Sequence, residues 1–280
     1  MASETANLNV DSNTRLYAVI GDPIAHSLSP VMHNAAFRQT GHSGVYVACR
    51  VTDLPGAIAG IRALNIRGCS VTIPHKVAVM DLLDHVDSMA RQIGAVNTIV
   101  NDAGRLSGFN SDCPGAMAAL LEKTPVARRR VAVIGAGGAA RALAHGVKAH
   151  GGQLTIVNRS EEKGRRLAGE VGSDFCRLVD FSGVGYDILV NTTPVGMIPH
   201  VDQMPVSPAC LRPAMTVMDI VYNPLETRLL KVARESGCTV VDGVAMFVHQ
   251  GAFQFERWTG EKAPVQLMKK TVLAALGKKQ

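Results

Sequence analysis

The chain has 280 residues, 47% of them hydrophobic and 19% charged, which is ample apolar material for a packed core and too little charge for disorder. At roughly 100–200 residues per domain it predicts two domains. Aromatics at 4% speak against recognition built on stacked bases, and the net charge of +6 is scattered, with Arg128-Arg129-Arg130 and Lys278-Lys279 as its main clusters; these read as a solvated turn and a terminus, so no nucleic-acid partner is expected.

Residues 1–14 are polar and carry no signal-peptide core, which predicts an unordered tail. No stretch approaches the ~20 apolar residues of a membrane span, so a soluble, cytoplasmic chain with no membrane partner is expected. The six cysteines form no C-x-x-C and suggest neither zinc nor disulfides, which suits a reducing compartment. Short β-branched runs then alternate with helical spacing. A strand at 16–20 is followed by a helix at 30–41, a strand at 45–51, a helix at 53–64, and strands at 69–72 and 98–100. After a helix at 112–122 come strands at 131–134, 154–157, 188–190, 217–221 and 239–241, with helices at 138–150, 161–171 and 225–235. This alternation predicts an α/β protein with two parallel sheets, the break falling within 112–130.

The strand at 131–134 runs into Gly135-Ala136-Gly137-Gly138-Ala139-Ala140, a G-x-G-x-x-A at a strand-to-helix turn. Gly135 permits the tight turn, Gly137 lets backbone approach a pyrophosphate, Ala140 allows close helix packing, and the helix N-terminus supplies unpaired N–H groups. The next strand ends in Asn158-Arg159-Ser160 with Lys163 beyond. An NAD site would place a carboxylate there. Arg159, Ser160 and Lys163 suit a 2′-phosphate, which predicts NADP. The alternative is solvated cations with Asn158 capping the helix.

Upstream, His26-Ser27-Leu28-Ser29-Pro30, Val71-Thr72-Ile73-Pro74-His75-Lys76, Gly94-Ala95-Val96-Asn97-Thr98 and Asn110-Ser111-Asp112 each sit where a strand ends or begins. Ligands of open α/β sheets bind at such ends. Ser27, Ser29, Thr72 and Asn97 offer hydroxyls and an amide for neutral oxygens, and Lys76 with Asp112 offers proton handling. Asp112 also suits the N-cap of a helix starting at Cys113-Pro114.

These signatures, in this order, resemble the shikimate dehydrogenases, which reduce 3-dehydroshikimate to shikimate with NADPH in aromatic amino-acid biosynthesis. The resemblance implies a substrate-binding and catalytic domain, 1–111 plus 244–280, and a Rossmann NADP-binding domain, 112–243. It implies that Lys76 and Asp112 are the catalytic pair, that Ser27 and Ser29 bind the substrate carboxylate, and that Thr72, Asn97, Asp112 and Gln250 hold ring hydroxyls. Tyr222 would reach the substrate from the cofactor side. Gly135, Ala136, Gly137, Gly138 and Ala139 would take the pyrophosphate, and Asn158, Arg159, Ser160 and Lys163 the adenosine phosphate. Thr192, Ile220 and Gly243 would lie near the nicotinamide and its ribose.

The chain departs from the family pattern at Ser70, where Asn is usual, at Ser111-Asp112-Cys113-Pro114 and at Gly243-Val244-Ala245-Met246. These departures leave quinate or an amino analogue open as substrates, and a non-catalytic NADP-sensing relative is the contrasting class. A methylene-tetrahydrofolate type of dehydrogenase gives the Ser27/Ser29 loop no role. Monomer and homodimer both remain open. His26, His33, His75 and His85 lack metal-ligand spacing, and Asp81, Asp84 and Asp87 read as a solvated helix edge. Met246, Phe247, Phe253, Phe255 and Trp258 are expected to pack a helix on the first domain.

Overall fold

The computed structural model describes residues 10–277. Lys278, Lys279 and the first nine residues of the expected tail lie outside them; Val10 onward lies within. There Asp11 folds the chain into a turn, its Oδ1 accepting the Asn13 N–H (2.8 Å) and its carbonyl the Thr14 N–H (3.1 Å), an Asx geometry that leads into the first strand.

The chain through Ser111, and again from Gly251, forms one unit; Asp112–Gln250 forms the other. The first unit begins with β1 (Arg15–Gly21), α1 (Ser29–Thr40), β2 (Gly44–Arg50), α2 (Leu54–Ala63) and β3 (Gly68–Val71). Pro30 stands in the first turn of α1, where its missing N–H costs nothing, and Gly41 (φ 71°) ends that helix in the left-handed region. The Asp53 side chain accepts the Gly56 N–H at 3.1 Å and caps α2. Then follow β4 (His85–Val86), α3 (Ser88–Ile93), β5 (Thr98–Asp102) and β6 (Arg105–Phe109), and the sheet has the order β2-β1-β3-β5-β6-β4.

This sheet is mixed, which corrects the expectation of parallel strands throughout. β5 runs antiparallel to both β3 and β6. The β5–β6 pair is a tight hairpin closed by the two-residue turn Ala103-Gly104, whose φ angles of 49° and 91° match its twist. Neither β6, interrupted by Ser107 and Gly108, nor the two-residue β4 shows a period long enough to read. The supposed solvated aspartates have structural work as well: Asp84 pairs with Arg62 (2.6 Å) and accepts the Leu106 N–H (2.7 Å), and Asp87 caps α3. The Arg62 guanidinium holds the Asp84 carboxyl below the usual range.

The second unit contains α4 (Asp112–Leu121), β7 (Arg130–Ile134), α5 (Gly138–Ala149), β8 (Gln153–Asn158), α6 (Glu161–Val171), β9 (Asp174–Arg177), β10 (Ile188–Asn191), β11 (Thr216–Asp219), α7 (Arg228–Glu235) and β12 (Thr239–Val241). All its strands are parallel, in the order β12-β11-β10-β7-β8-β9. Both faces are covered: Val131, Val133, Ile188 and Val190 belong to one apolar cluster, and Ala132, Ile134, Leu189 and Val217 to the other. Strands buried on both faces read as the continuous apolar runs seen in the sequence. β11 stops at Asp219 and α7 starts at Arg228, so 220–227 is a loop where strand and helix were both expected to extend.

α8 (Gly243–Thr259) is one continuous helix that crosses from the second unit to the first at Gln250/Gly251, not at 244. Ala245 and Met246 lie in the second unit's core beside Val241, and the Phe247 ring packs on Tyr222 at 5.0 Å. The expectation that Met246 and Phe247 pack on the first domain is therefore corrected. Phe255 and Trp258 do pack there: the Trp258 indole N–H donates to the Ile99 carbonyl at 2.9 Å, and a Cβ on Gly68 would collide with that ring. α9 (Val265–Gly277) completes the first unit and packs against α1. No helix among the described residues is long and apolar enough to cross a membrane.

Candidate active site

In the first unit the chain leaves β1 toward one side of the sheet and β3 toward the other, and ligand crevices open where such directions diverge. Both following loops start at this edge and are tied together, since the Asp22 N–H donates to the Ile73 carbonyl at 3.0 Å. Gly21 has no room for a Cβ, which would overlap Thr72. Ser29 opens α1, is buried, and its N–H points at Ser27 Oγ at 3.3 Å. Thr72 and Lys76 are half-buried on the second loop. That loop is anchored on both sides of Lys76: the buried His75 ring has Nε2 2.8 Å from the Val51 carbonyl, and the Lys76 carbonyl accepts the Val96 N–H at 2.8 Å.

Because β5 is antiparallel to β3, its N-terminal end lies at the same edge and brings Asn97 beside Val71, whose N–H donates to the Asn97 carbonyl at 2.9 Å. Ser27, Ser29, Thr72, Lys76 and Asn97 thus share the edge of one sheet. Behind them runs a buried polar chain. Tyr46 donates to Ser70 Oγ (2.7 Å), Ser70 donates to Gln254 Oε1 (2.9 Å), and Gln254 Nε2 donates to Thr98 Oγ1 (3.1 Å). Thr98 Oγ1 donates to Asn97 Oδ1 at 2.9 Å. Ser70 is therefore spoken for by protein groups, accepting from Tyr46 and donating to Gln254 of α8. Burial pushes the Tyr46 hydroxyl far above its ordinary range, so it stays a donor.

In the second unit the order diverges at β7 and β10. Gly135 (φ 119°) follows β7, and a Cβ there would stand 2.5 Å from Thr192 Oγ1, which itself donates to the Ile134 carbonyl at 2.6 Å. Gly135 is thus required by the protein. Gly137 and Gly138 differ: a Cβ on either would meet nothing within 4 Å. Their smallness leaves room for something else, and the α5 N-terminus behind them has no side-chain cap and no acid in its first turn. That is the donor set a pyrophosphate requires, so the residues fit a dinucleotide. Ala136 and Ala139 are partly exposed around the turn, and Ala140 is fully buried beneath it.

At the end of β8, Ser160 caps α6 by accepting the Lys163 N–H at 3.4 Å; Asn158 does not cap, because its Nδ2 donates to the Ser160 carbonyl at 2.8 Å. Arg159 and Lys163 are exposed. Two cations at this position fit a phosphate better than a ribose hydroxyl.

Asn191, Thr192, Ile220 and Tyr222 lie at or just beyond the ends of β10 and β11. Buried Asp219 organises both loops: it accepts from Asn191 Nδ2 (3.0 Å), Thr227 Oγ1 (2.7 Å) and the Val221 N–H (3.1 Å). Burial raises its carboxyl to about 6 against these bonds. Gly243 opens α8 where a Cβ would overlap the Ile220 and Val221 carbonyls, so close packing alone accounts for that glycine. Tyr222 is half-buried and its hydroxyl is raised by burial. Gln250 Nε2 donates to the Phe247 carbonyl at 2.8 Å. Asp112 stands in the first turn of α4 rather than before it, so the N-cap reading is corrected. Reasoning from sequence missed Gln254, Thr98, Tyr46 and Asp219. Asp219 had a local signal, closing an apolar strand just before Ile220-Val221-Tyr222-Asn223-Pro224, and Thr98 ends the stretch Gly94-Ala95-Val96-Asn97-Thr98.

Family models match three stretches: the shikimate dehydrogenase substrate binding domain over residues 19–99, shikimate / quinate 5-dehydrogenase over 118–196, and the shikimate 5′-dehydrogenase C-terminal domain over 243–273. A shikimate dehydrogenase (NADP(+)) of Geobacillus sp. (strain WCH70) is 48% identical over 273 residues, 94% of this chain and 99% of that protein. A crystal structure of a shikimate dehydrogenase in complex with NADP+ matches with a TM-score of 0.92 at 40% identity, over 95% of this chain and 97% of its own. That of the Thermus thermophilus enzyme in complex with NADP(H) and shikimate matches with a TM-score of 0.89 at 36% identity, over 94% and 100%. With relatives at these identities spanning nearly its whole length, the chain belongs to the shikimate dehydrogenase family.

Proposed function

We propose that the chain is an NADP-dependent oxidoreductase that interconverts 3-dehydroshikimate and shikimate. The observation that carries this reading is 48% identity over nearly the full chain to a shikimate dehydrogenase (NADP(+)), and the glycine turn with room above Gly137 and Gly138 supports the cofactor. When bound, NADP supplies a hydride donor or acceptor at nicotinamide C4. Lys76 gives its ammonium proton to the carbonyl oxygen in reduction and takes it back from the hydroxyl in oxidation, while the Asp112 carboxylate orients it. Ser27 and Ser29 bind the substrate carboxylate; Thr72, Asn97, Asp112 and Gln250 bind ring hydroxyls, and Tyr222 reaches the substrate from the cofactor side. Gly135, Ala136, Gly137, Gly138 and Ala139 hold the pyrophosphate, Asn158, Arg159, Ser160 and Lys163 the 2′-phosphate, with Thr192, Ile220 and Gly243 near the nicotinamide. The six free cysteines suit the cytoplasm.

A steady-state screen of shikimate and quinate against NADP+ and NAD+ tests this. Shikimate with NADP+ is expected to give the highest kcat/KM. Faster turnover of quinate would reassign the substrate, and no turnover of either would support the NADP-sensing class.

A further inference from the structure

Asp112 stands in the first turn of α4, and Gly115 follows one turn later. A Cβ on Gly115 would lie 2.7 Å from both the Cβ and the backbone nitrogen of Gln250, and 2.9 Å from its Cα. α4 therefore rests directly on the backbone of α8 at Gln250, with no side chain between them that could turn aside. Successive residues of a helix are about 100° apart, so Cys113 and Met117 share one face of α4 and Gly115 lies on the opposite one. That other face is seated on α5 at a second glycine. A Cβ on Gly146 would lie 2.6 Å from Met117 Cγ, 2.8 Å from Met117 Sδ and 3.2 Å from Cys113 Sγ. Gly115, Gly146, Cys113 and Met117 are all buried, and all belong to the unit Asp112–Gln250. α4 is thus held between α8 and α5 with a glycine at each contact, and close packing leaves it no room to move off one helix without entering the other. Restoring the ~3.5–4.0 Å of ordinary carbon contact around a Cβ at residue 115 would require a shift of about 1 Å.

We propose that Gly115 is a positioning residue: its lack of a side chain sets the spacing of α4 from α8 and thereby places Asp112 relative to Gln250. Gly146 holds that spacing from the other face of α4. This deepens the proposed function and rests on its reading of Asp112 and Gln250 as residues that bind the substrate. Two groups that must meet one small ring tolerate little error, because a misplacement of about 1 Å can cost about 100-fold in rate.

The test is steady-state kinetics on the full-length enzyme, run well below the melting temperature of each variant. Gly115→Ala is expected to lower kcat/KM for shikimate at least about tenfold, within the range of such a misplacement, with the KM for NADP+ unchanged. Gly152→Ala is the matched control: it lies on neither α4 nor α8, and a Cβ there would stand 2.7 Å from Val147 Cγ1. It is expected to lower the melting temperature and to leave the kinetics with shikimate as in wild type. A Gly115→Ala variant with a lower melting temperature and unaltered kcat/KM would mean packing alone and overturn the proposal. An equal fall in kcat/KM for both variants, or a matching rise in the KM for NADP+, would overturn it as general strain. If Gly115→Ala prevents folding, Gly146→Ala decides by the same readings, because its Cβ presses on the Met117 side chain rather than on backbone. Asp112→Asn and Gln250→Ala separate the two levels. If they lower kcat/KM and Gly115→Ala does not, the positioning role fails and the proposed function stands; if neither lowers it, the substrate assignment of Asp112 and Gln250 fails and the positioning role falls with it.

Discussion

The glycine turn of Asp112–Gln250 and the polar edge of the other unit are built from different materials. At Gly137 and Gly138 the donors are main-chain N–H groups at an uncapped helix start, and what matters is the absence of side chains. Along the other unit's edge the polar groups are side chains, and the Asn97 amide oxygen is held by the Thr98 hydroxyl and the Ser111 N–H. Backbone donors are aimed by the fold, so they tolerate changes around them that do not fill the space. A side-chain donor is only as well aimed as its neighbours, so it depends on residues distant in sequence.

The largest expected effect separates the two materials by function. Lys76→Ala is predicted to lower kcat about 10³-fold, the scale of a lost general acid, with NADP+ binding unchanged; retention of most turnover would refute its role. Next in size, Arg159→Ala is expected to cut the preference for NADP+ over NAD+ at least about tenfold, the scale of one lost charge-assisted pair, with the KM for shikimate unaffected. A preference left intact would move the 2′-phosphate elsewhere. Within the glycine turn, Gly137→Val is expected to weaken NADP+ binding at constant melting temperature, whereas Gly135→Ala should lower both, since its φ of 119° and its approach to Thr192 strain the fold itself. Equal melting temperatures for the two variants would undo that distinction.

A separate effect falls on stability, and its sign differs between the units. His33 is wholly buried, stacked on Tyr46 at 4.6 Å, and burial lowers it to about 3. The unfolded chain takes up a proton below about 6.5 while the folded one does not. Its contribution is therefore complete above that pH and is lost toward pH 3 at about 1.4 kcal/mol per unit. Asp219, raised to about 6, acts in reverse: its contribution is present below about 4 and is lost as pH rises to about 6. Amide exchange followed separately in each unit between pH 4 and 6.5 is expected to show the first unit weakening with acid. His33→Phe should flatten that slope and Asp219→Asn the opposite one; a His33→Phe variant as acid-sensitive as wild type would show that another group is responsible.

Much of this is legible in the sequence. The doubly covered strands of the second unit announce themselves as apolar runs because both faces are buried, and Gly135 and Gly137 lie just after β7, Arg159 and Lys163 just after β8, each within a few residues of a strand end. The first unit was harder to read. Its hairpin depends on two positive φ angles at Ala103 and Gly104, its shortest strand has only two residues, and the polar edge became visible only once β5 was known to run backwards. The continuation of α8 through Gln250 was also hidden, because nothing local marks where a helix passes from one core to another.

Sequence alone therefore determined the α/β class, the glycine turn, the bias toward a phosphorylated dinucleotide, and which polar residues stand at strand ends, since these depend on spacing and on backbone conformations that few residues allow. Tertiary structure alone decided that Asn97 Oδ1 meets the Thr98 hydroxyl and the Ser111 N–H, that Gln254 links Ser70 to Thr98, and that Asp219 holds two loops together. Those outcomes come from pairings between residues as far apart as 97 and 254, and no local pattern along the chain encodes which buried donor meets which acceptor.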